Sequence, residues 1–201
     1  CIENIPLVSV IGESRVDVKP DVIIIKVSTS RYIKIPDLNV AKENVLIQMK
    51  FVEREGIEIA EMPDILKKDQ VGIQYIKEFV ITVRDFRAYY ELFQKLQQNG
   101  FTDFRIVEFQ VSNLGELKQK ARILALNDAK QKAASMAGEL GQAIGKAHRV
   151  EEVEVSYNST FGPDALLLFS ADWIRLNDRY PVKLGHISVI AKLKVSFDLK
   201  K

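Results

Sequence analysis

Cysteine occurs once, at Cys1, and histidine twice, at His148 and His186. A single thiol forms no disulfide within the chain, and so small an inventory leaves little from which to build a metal site or a nucleophile with its imidazole base. Long apolar runs are also missing. The strongest, Val22-Ile23-Ile24-Ile25, spans only a few residues, whereas a membrane-crossing helix needs about 20. Neither sign of charge is in excess: 29 basic and 27 acidic side chains leave +2, with no basic tail or stripe, which argues against nucleic acid as a partner. No basic segment followed by an apolar stretch opens the sequence, so any signal peptide is expected to have been removed.

What is present is apolar content of 47% in 201 residues, enough for the core of one generous domain or two small ones. Leu7 to Val18 alternates loosely around Gly12, Pro20-Asp21 supplies a turn, and Val22 to Thr29 is β-branched, so the opening reads as a hairpin. Val40, Val45, Leu46, Met49 and Val52 recur at helical spacing after Pro36-Asp37 and before Gly56. An irregular stretch around Met62-Pro63-Asp64 follows. Val71 to Arg84 reads as a strand with Ile73, Tyr75, Phe79, Ile81 and Val83 on its apolar side, and the polar Lys77 in its middle predicts a bulge or register shift. Asp85 leads a helix with the stripe Phe86, Tyr89, Tyr90, Phe93 and Leu96, closed by Asn99-Gly100.

A strand over Phe101 to Ser112 precedes the longest helix, expected from Leu114 to Leu140 behind Asn113 and Glu116. In it Ala121, Ala125, Ala129, Ala133 and Ala137 recur every four residues, a ridge of small side chains that lets a neighbour approach closely and is read as core. Strands are expected over Ala147 to Tyr157 and Ile187 to Leu199, the latter with apolar residues alternating with mostly polar ones. Asn158 to His186 between them is irregular yet carries Phe161, Leu166 to Phe169 and Trp173. Apolar surface of this kind packs over its own domain or meets a partner.

The order of these pieces resembles the SIMPL-domain family. Val8-Ser9-Val10-Ile11-Gly12-Glu13 before Pro20-Asp21 is similar to its opening. Asp85 to Gly100, the strand Ile106 to Val111, then Ala121, Ala125, Asp128-Ala129, Lys132-Ala133, Ala137 and Leu140-Gly141 ahead of Gly145 and Val153 look like its C-terminal half. Ser14 stands where a second glycine is usual, and His186 where an acidic residue is common. The resemblance implies one α+β domain over 1–201 with an irregular apolar insertion at about 158–186. Its expected form is a mixed sheet with βαβ-like units, three main helices and an alternating C-terminal strand. It also implies export to the bacterial periplasm or cell envelope, homo-oligomers in some members, and association of others with oxidative stress or host recognition; it brings no catalytic residues.

Function is therefore expected to be non-enzymatic, without cofactor or metal: a self-associating scaffold or stress-protective factor. The contact residues would be Phe161, Leu167, Phe169 and Trp173, with the outer face of the long helix. Cys1 is read either as the lipid-bearing first residue of a processed lipoprotein, the sole link to a membrane, or as an ordinary terminal thiol. The alternative reading is a small-ligand-binding or hydrolytic domain with its pocket under the 158–186 loop. Single histidines are more often surface or core residues than ligands, the acidic series from Glu53 to Asp64 lacks calcium-loop spacing, and Gly138, Gly141 and Gly145 follow a helix where a phosphate cradle precedes one.

Overall fold

The computed structural model describes residues 6–54, 56–163, 165 and 185–201, and the side chains of Phe86, Arg87 and Tyr90 lie outside the description. Three helices and eight strands are placed among these residues, an α+β fold. The chain forms two compact units. One comprises Cys1–Val18, Asn113–Ser159 and His186–Lys201; the other Lys19–Ser112 and Thr160–Gly185.

The first unit is a sheet of order β1-β8-β7, built from β1 (Leu7–Val18), β7 (Ala143–Phe161) and β8 (Gly185–Lys200), with the helix α3 (Leu114–Glu139) packed on β1. Strand β1 runs antiparallel to β8 from Leu7 opposite Asp198 to Val18 opposite Ile187. The alternation of β8 buries Ile187, Val189, Ala191, Leu193, Val195 and Phe197 on one face, as the period-two pattern requires, with Ser188 and Ser196 buried on the other.

The alanine ridge of α3 is fully buried at Ala121, Ala125, Ala129, Ala133 and Ala137. What it meets is Gly12. A Cβ at position 12 would overlap the carbonyl oxygen of Ala125 and lie 2.7 Å from Cβ of Ala129. Polar groups fix the same contact: Asp128 accepts the N–H of Glu13 at 2.8 Å, Lys132 donates to the carbonyl of Ile11 at 3.1 Å, and Ser14 donates its hydroxyl to the carbonyl of Ala121 at 2.7 Å. Asp128 and Lys132 also pair with each other, one turn apart, at 2.7 Å.

The second unit contains β2 (Val22–Ile33), a 3-10 turn (Ile35–Asp37), α1 (Leu38–Lys50), β3 (Ile57–Glu61), β4 (Ile65–Lys68), β5 (Ile73–Val83), α2 (Phe86–Gln98) and β6 (Asp103–Gln110). Its sheet order is β3-β5-β2-β6, with β4 also on β5. Both β2 and β3 are antiparallel to β5 and hence parallel to each other, joined through α1; β5 and β6 are likewise both antiparallel to β2 and joined through α2. These are two interleaved split βαβ units, the ferredoxin-like arrangement. Ile23, Ile25, Val27, Tyr75, Phe79, Ile81 and Val83 bury against Val45 and Met49 of α1 and against Tyr89, Leu92 and Leu96 of α2.

Two expectations are corrected and two are met. The sheet is not mixed: there are two sheets, and their neighbouring strands run antiparallel, because each βαβ crossover skips over one intervening strand. The opening is not a hairpin, since β1 pairs with β8 while β2 pairs with β5 and β6. Asp21 hooks the turn onto the end of β6 instead, its carboxylate accepting the N–H and hydroxyl of Ser112 at 2.7 and 2.6 Å. The irregular stretch expected around Met62-Pro63-Asp64 is present, as a break between two short strands on one edge of β5, as suits a proline with no N–H to give. The register shift expected at Lys77 is found on one edge of β5: β3 pairs from Ile57–Val83 to Glu61–Phe79 and β4 resumes at Ile65–Ile76, one residue out of step, whereas the register against β2 runs unbroken and a further irregularity lies between Ile24 and Ile25, where β2 meets β6.

The close approach at Gly12 predicts that Gly12→Ala destabilises the chain by about 3 kcal/mol, an overpacking cost at the upper end of its usual range. Gly138→Ala, in the same helix with nothing near its added methyl, should instead stabilise by about 0.5–1 kcal/mol. Urea denaturation of the two variants against the parent measures both.

Candidate functional site

The second unit carries the most concentrated polar chemistry. Lys77 sits mid-strand on the buried face of β5 with its side chain only 8% exposed. Its ammonium reaches Glu61 at 3.1 Å, Asp64 at 3.2 Å and the carbonyl of Met62 at 2.9 Å, so its three donors are all engaged. Asp64 in turn pairs with Lys42 of α1 at 2.8 Å and accepts from the Tyr75 hydroxyl at 3.2 Å. The break at Pro63 positions this set. It ends β3 at Glu61 and turns the chain so that Asp64 points back across β5 toward α1.

The electrostatics follow from these contacts. Burial alone would lower the Lys77 ammonium, but hydrogen bonds to Glu61 and Asp64, together with their charge, hold it above the usual lysine value. Asp64 is held below the usual carboxylate range, first by the hydrogen bond from Lys42 and then, against a desolvation penalty, by Lys77. Burial, then the Asp64 charge, pushes the Tyr75 phenol up to about 12. A lysine serves as a nucleophile only when its nitrogen has a free lone pair. Here the proton is retained, so the group acts as a structural cation tying the β3–β4 break to β5 and α1. Beside it, Lys42, Lys50, Glu53 and Glu61 rim a cavity of about 590 Å³ floored by Ile59 and Phe79.

A second cluster lies in the first unit, where β1 meets β8. Arg15 holds both carboxylate oxygens of Asp17 at 2.9 and 3.1 Å, Ser188 donates to Asp17 at 2.5 Å and accepts from Arg15 at 2.9 Å, and His186 lies 3.4 Å from Arg15. Serine, histidine and aspartate are thus neighbours, but in the wrong order for acyl transfer. The serine proton goes to the carboxylate, and the imidazole faces a guanidinium where a triad places its hydroxyl. Asp17 is held below its ordinary value chiefly by the Ser188 hydrogen bond and then by Arg15.

His148, on β7, lies 3.5 Å from Asp198 and so has a different partner from His186. Among the described residues no group of three or more histidine, cysteine, aspartate or glutamate side chains is placed to hold a metal ion. Of the expected contact residues, Phe161 is half-exposed with its ring 5.1 Å from that of Phe109 at the end of β6. Cys1, Leu167, Phe169 and Trp173 lie outside the described residues, as do Phe86 and Tyr90 of the α2 stripe in their side chains.

Sequence reasoning passed over the Lys77 network because a lysine inside an alternating strand reads as a solvent-facing residue or an interruption. The signal was available: Ile73, Tyr75, Phe79, Ile81 and Val83 share one parity, and Lys77 falls on it.

The family model for SIMPL, described as "Protein of unknown function (DUF541)", matches residues 8–172. No curated protein matches the sequence significantly. Among solved structures, "The crystal structure of AtUAH in complex with glyoxylate" is 11% identical, with 63% of this chain and 36% of that chain covered and a TM-score of 0.26. This chain therefore spans about a third of that structure's length, and a likeness so low carries no argument.

Removing the Asp64 charge tests the network. Asp64→Asn should cost about 1–3 kcal/mol at pH 7, the usual range for hydrogen bonds to charged groups. Because the folded-state pKa is depressed below 3.8, the stabilisation is full above that value and is lost as pH falls through the folded pKa. The gap between variant and parent should thus close towards pH 2, as read by denaturant unfolding across pH.

Proposed function

From the premise that the chain belongs to the SIMPL family, we propose that it is a non-enzymatic protein of the bacterial cell envelope that works by self-association, as a scaffold or a protective factor under stress. The observation that carries this reading is the outer face of α3. Opposite the buried alanine ridge, Ile123 and Leu124 stand 49% and 41% exposed over an almost wholly apolar groove bordered by Gly115, Glu116, Gln119 and Lys120. Leu126, Met136 and Leu140 of the same helix and its end are exposed as well. A helix that spends its alanines on its own sheet and still presents branched aliphatics outward has a second apolar face to cover.

The polar clusters fit this reading better than a catalytic one. Lys77, Asp64, Asp17 and Ser188 are each engaged by fixed partners within the chain. Envelope location comes from the family, and Cys1 as a lipid-bearing residue remains part of the same proposal.

A specific observation also favours the small-ligand reading: the cavity beside α1, whose mixed charges and apolar floor suit a small zwitterion. Most of the 158–186 segment, under which a pocket was expected, lies outside the described residues.

Sedimentation velocity across a concentration series tests self-association. The parent should form higher assemblies, and Ile123→Glu combined with Leu124→Glu should shift it to smaller species without change in far-UV circular dichroism. A strict monomer at hundreds of micromolar overturns the proposal.

A further inference from the structure

Strand β7 is an outer strand of its sheet, and among the described residues no strand pairs with its other edge. A free edge presents a row of unpaired N–H and C=O groups, which proteins blunt by shortness, proline, a bulge, a cover or charge. At 19 residues without proline, β7 is long for an edge, and it is exposed along most of its length. Charge is present, and its order is informative. Lys146, His148 and Arg149 precede Val150, and Glu151, Glu152 and Glu154 follow it.

Blunting an edge needs charge in any order. This order is mirrored about one residue, with Arg149 and Lys146 matched by Glu151 and Glu154 of reversed sign and His148 by Glu152, which blunting does not explain.

We propose that β7 pairs antiparallel with β7 of a second copy of this chain, about a two-fold axis at Val150, joining the two sheets edge to edge. The proposal rests on the self-association reading and names one of its contacts. Directly opposite residues across an antiparallel pair are neighbours on the same face. With the axis at Val150, Arg149 faces Glu151, His148 faces Glu152 and Lys146 faces Glu154, each twice by symmetry. The exposed apolar residues find partners in the same register: Val150 meets its own counterpart, Val153 meets Ala147 and Tyr157 meets Ala143. A C2 contact of this kind is self-complementary by construction.

Other registers are penalised. Moving the axis one residue sets Arg149 against Arg149 with only Lys146 still facing a glutamate, or Glu151 against Glu151 with only His148 still facing one, and an axis between residues leaves at most one basic residue facing a glutamate.

The intrachain partners these charges now have are exchangeable. Arg149–Glu151 at 3.1 Å, Arg122–Glu152 at 2.8 Å and Lys192–Glu154 at 3.8 Å all join exposed or half-exposed side chains. Arg149 itself is 72% exposed. An approaching second strand therefore meets charges that are available to it.

Charge reversal on the full chain tests the register. Sedimentation equilibrium should show Arg149→Glu and Glu151→Arg each weakening self-association by about tenfold, since either puts two like-charge contacts in every dimer. An equimolar mixture of the two variants should regain parental affinity, because each then faces its opposite. In a Cys1→Ser background, oxidation should cross-link Val150→Cys to itself but not Glu152→Cys. The α3 double variant should retain the dimer while losing larger assemblies. If the charge variants associate like the parent, or their mixture shows no recovery, the edge pairing is overturned and self-association by another face still stands; a strictly monomeric parent overturns both.

Discussion

The contact between Gly12 and the alanine ridge of α3 is the constraint on which the first unit depends. A helix with side chains of ordinary size stands well away from a strand; here the helix backbone comes close enough that Ala125 and Ala129 occupy the space a methyl group at position 12 would need. Only at that distance do Asp128 and Lys132 reach the backbone of Glu13 and Ile11, and Ser14 the carbonyl of Ala121. The glycine, the ridge and these three polar contacts are one device. Its effect is to cover part of an edge: β1 is the outer strand beside β8, and α3 supplies partners to the N–H of Glu13 and the carbonyl of Ile11. Ser14, a departure from the family pattern, is used here as a donor into the helix.

The second unit depends on a different kind of contact. Lys77 occupies a position that its neighbours along β5 reserve for apolar side chains, and it does so because two carboxylates and a carbonyl meet it there. A buried ammonium without such partners would cost several kcal/mol, so the network is a condition for this strand alternating at all. The carboxylates come from the broken edge formed by β3 and β4. Pro63 thus does more than interrupt pairing: it delivers Asp64 to the place where Lys77 needs a counter-ion and where Lys42 and Tyr75 can also reach it.

These two devices explain which parts of the fold were legible in the sequence. Local period was readable wherever the buried face is chemically uniform, as in α3 with its alanines and β8 with its alternation; both boundaries were placed within a few residues. Reading failed where a residue's environment comes from far along the chain. Lys77 read as an interruption because Glu61 and Asp64 are brought to it by tertiary pairing, and the opening read as a hairpin because the pairing of β1 with the last strand leaves no local trace. Interleaved βαβ units have the same property: the sequence order β-α-β implies a parallel relation, and nothing local says that another strand lies between. The candidate site was legible only in part for the same reason. Arg15 and Asp17 lie far from His186 and Ser188 in sequence, and their cluster exists only once β1 and β8 are paired.

The two outer strands of the first sheet answer the same physical problem in opposite ways. Strand β1 is covered in part from within, the N–H of Glu13 and the carbonyl of Ile11 being met by the carboxylate and ammonium of α3. Strand β7 has no such cover among the described residues, yet it is the longer of the two and carries exposed Val150 and Val153 among its charges. If charge served there only to repel other strands, a block of one sign would do it best, since like charges oppose any incoming copy in every register. A basic half followed by an acidic half does the reverse: it makes the most opposite-charge pairings in one register and fewer in every displaced one. Discrimination of that kind requires both the attractive pairing and the penalised alternatives, and β7 carries both in a run of nine residues centred on Val150. The edge is therefore better described as selective than as protected, and the occupant we propose for it is a second strand of its own sequence.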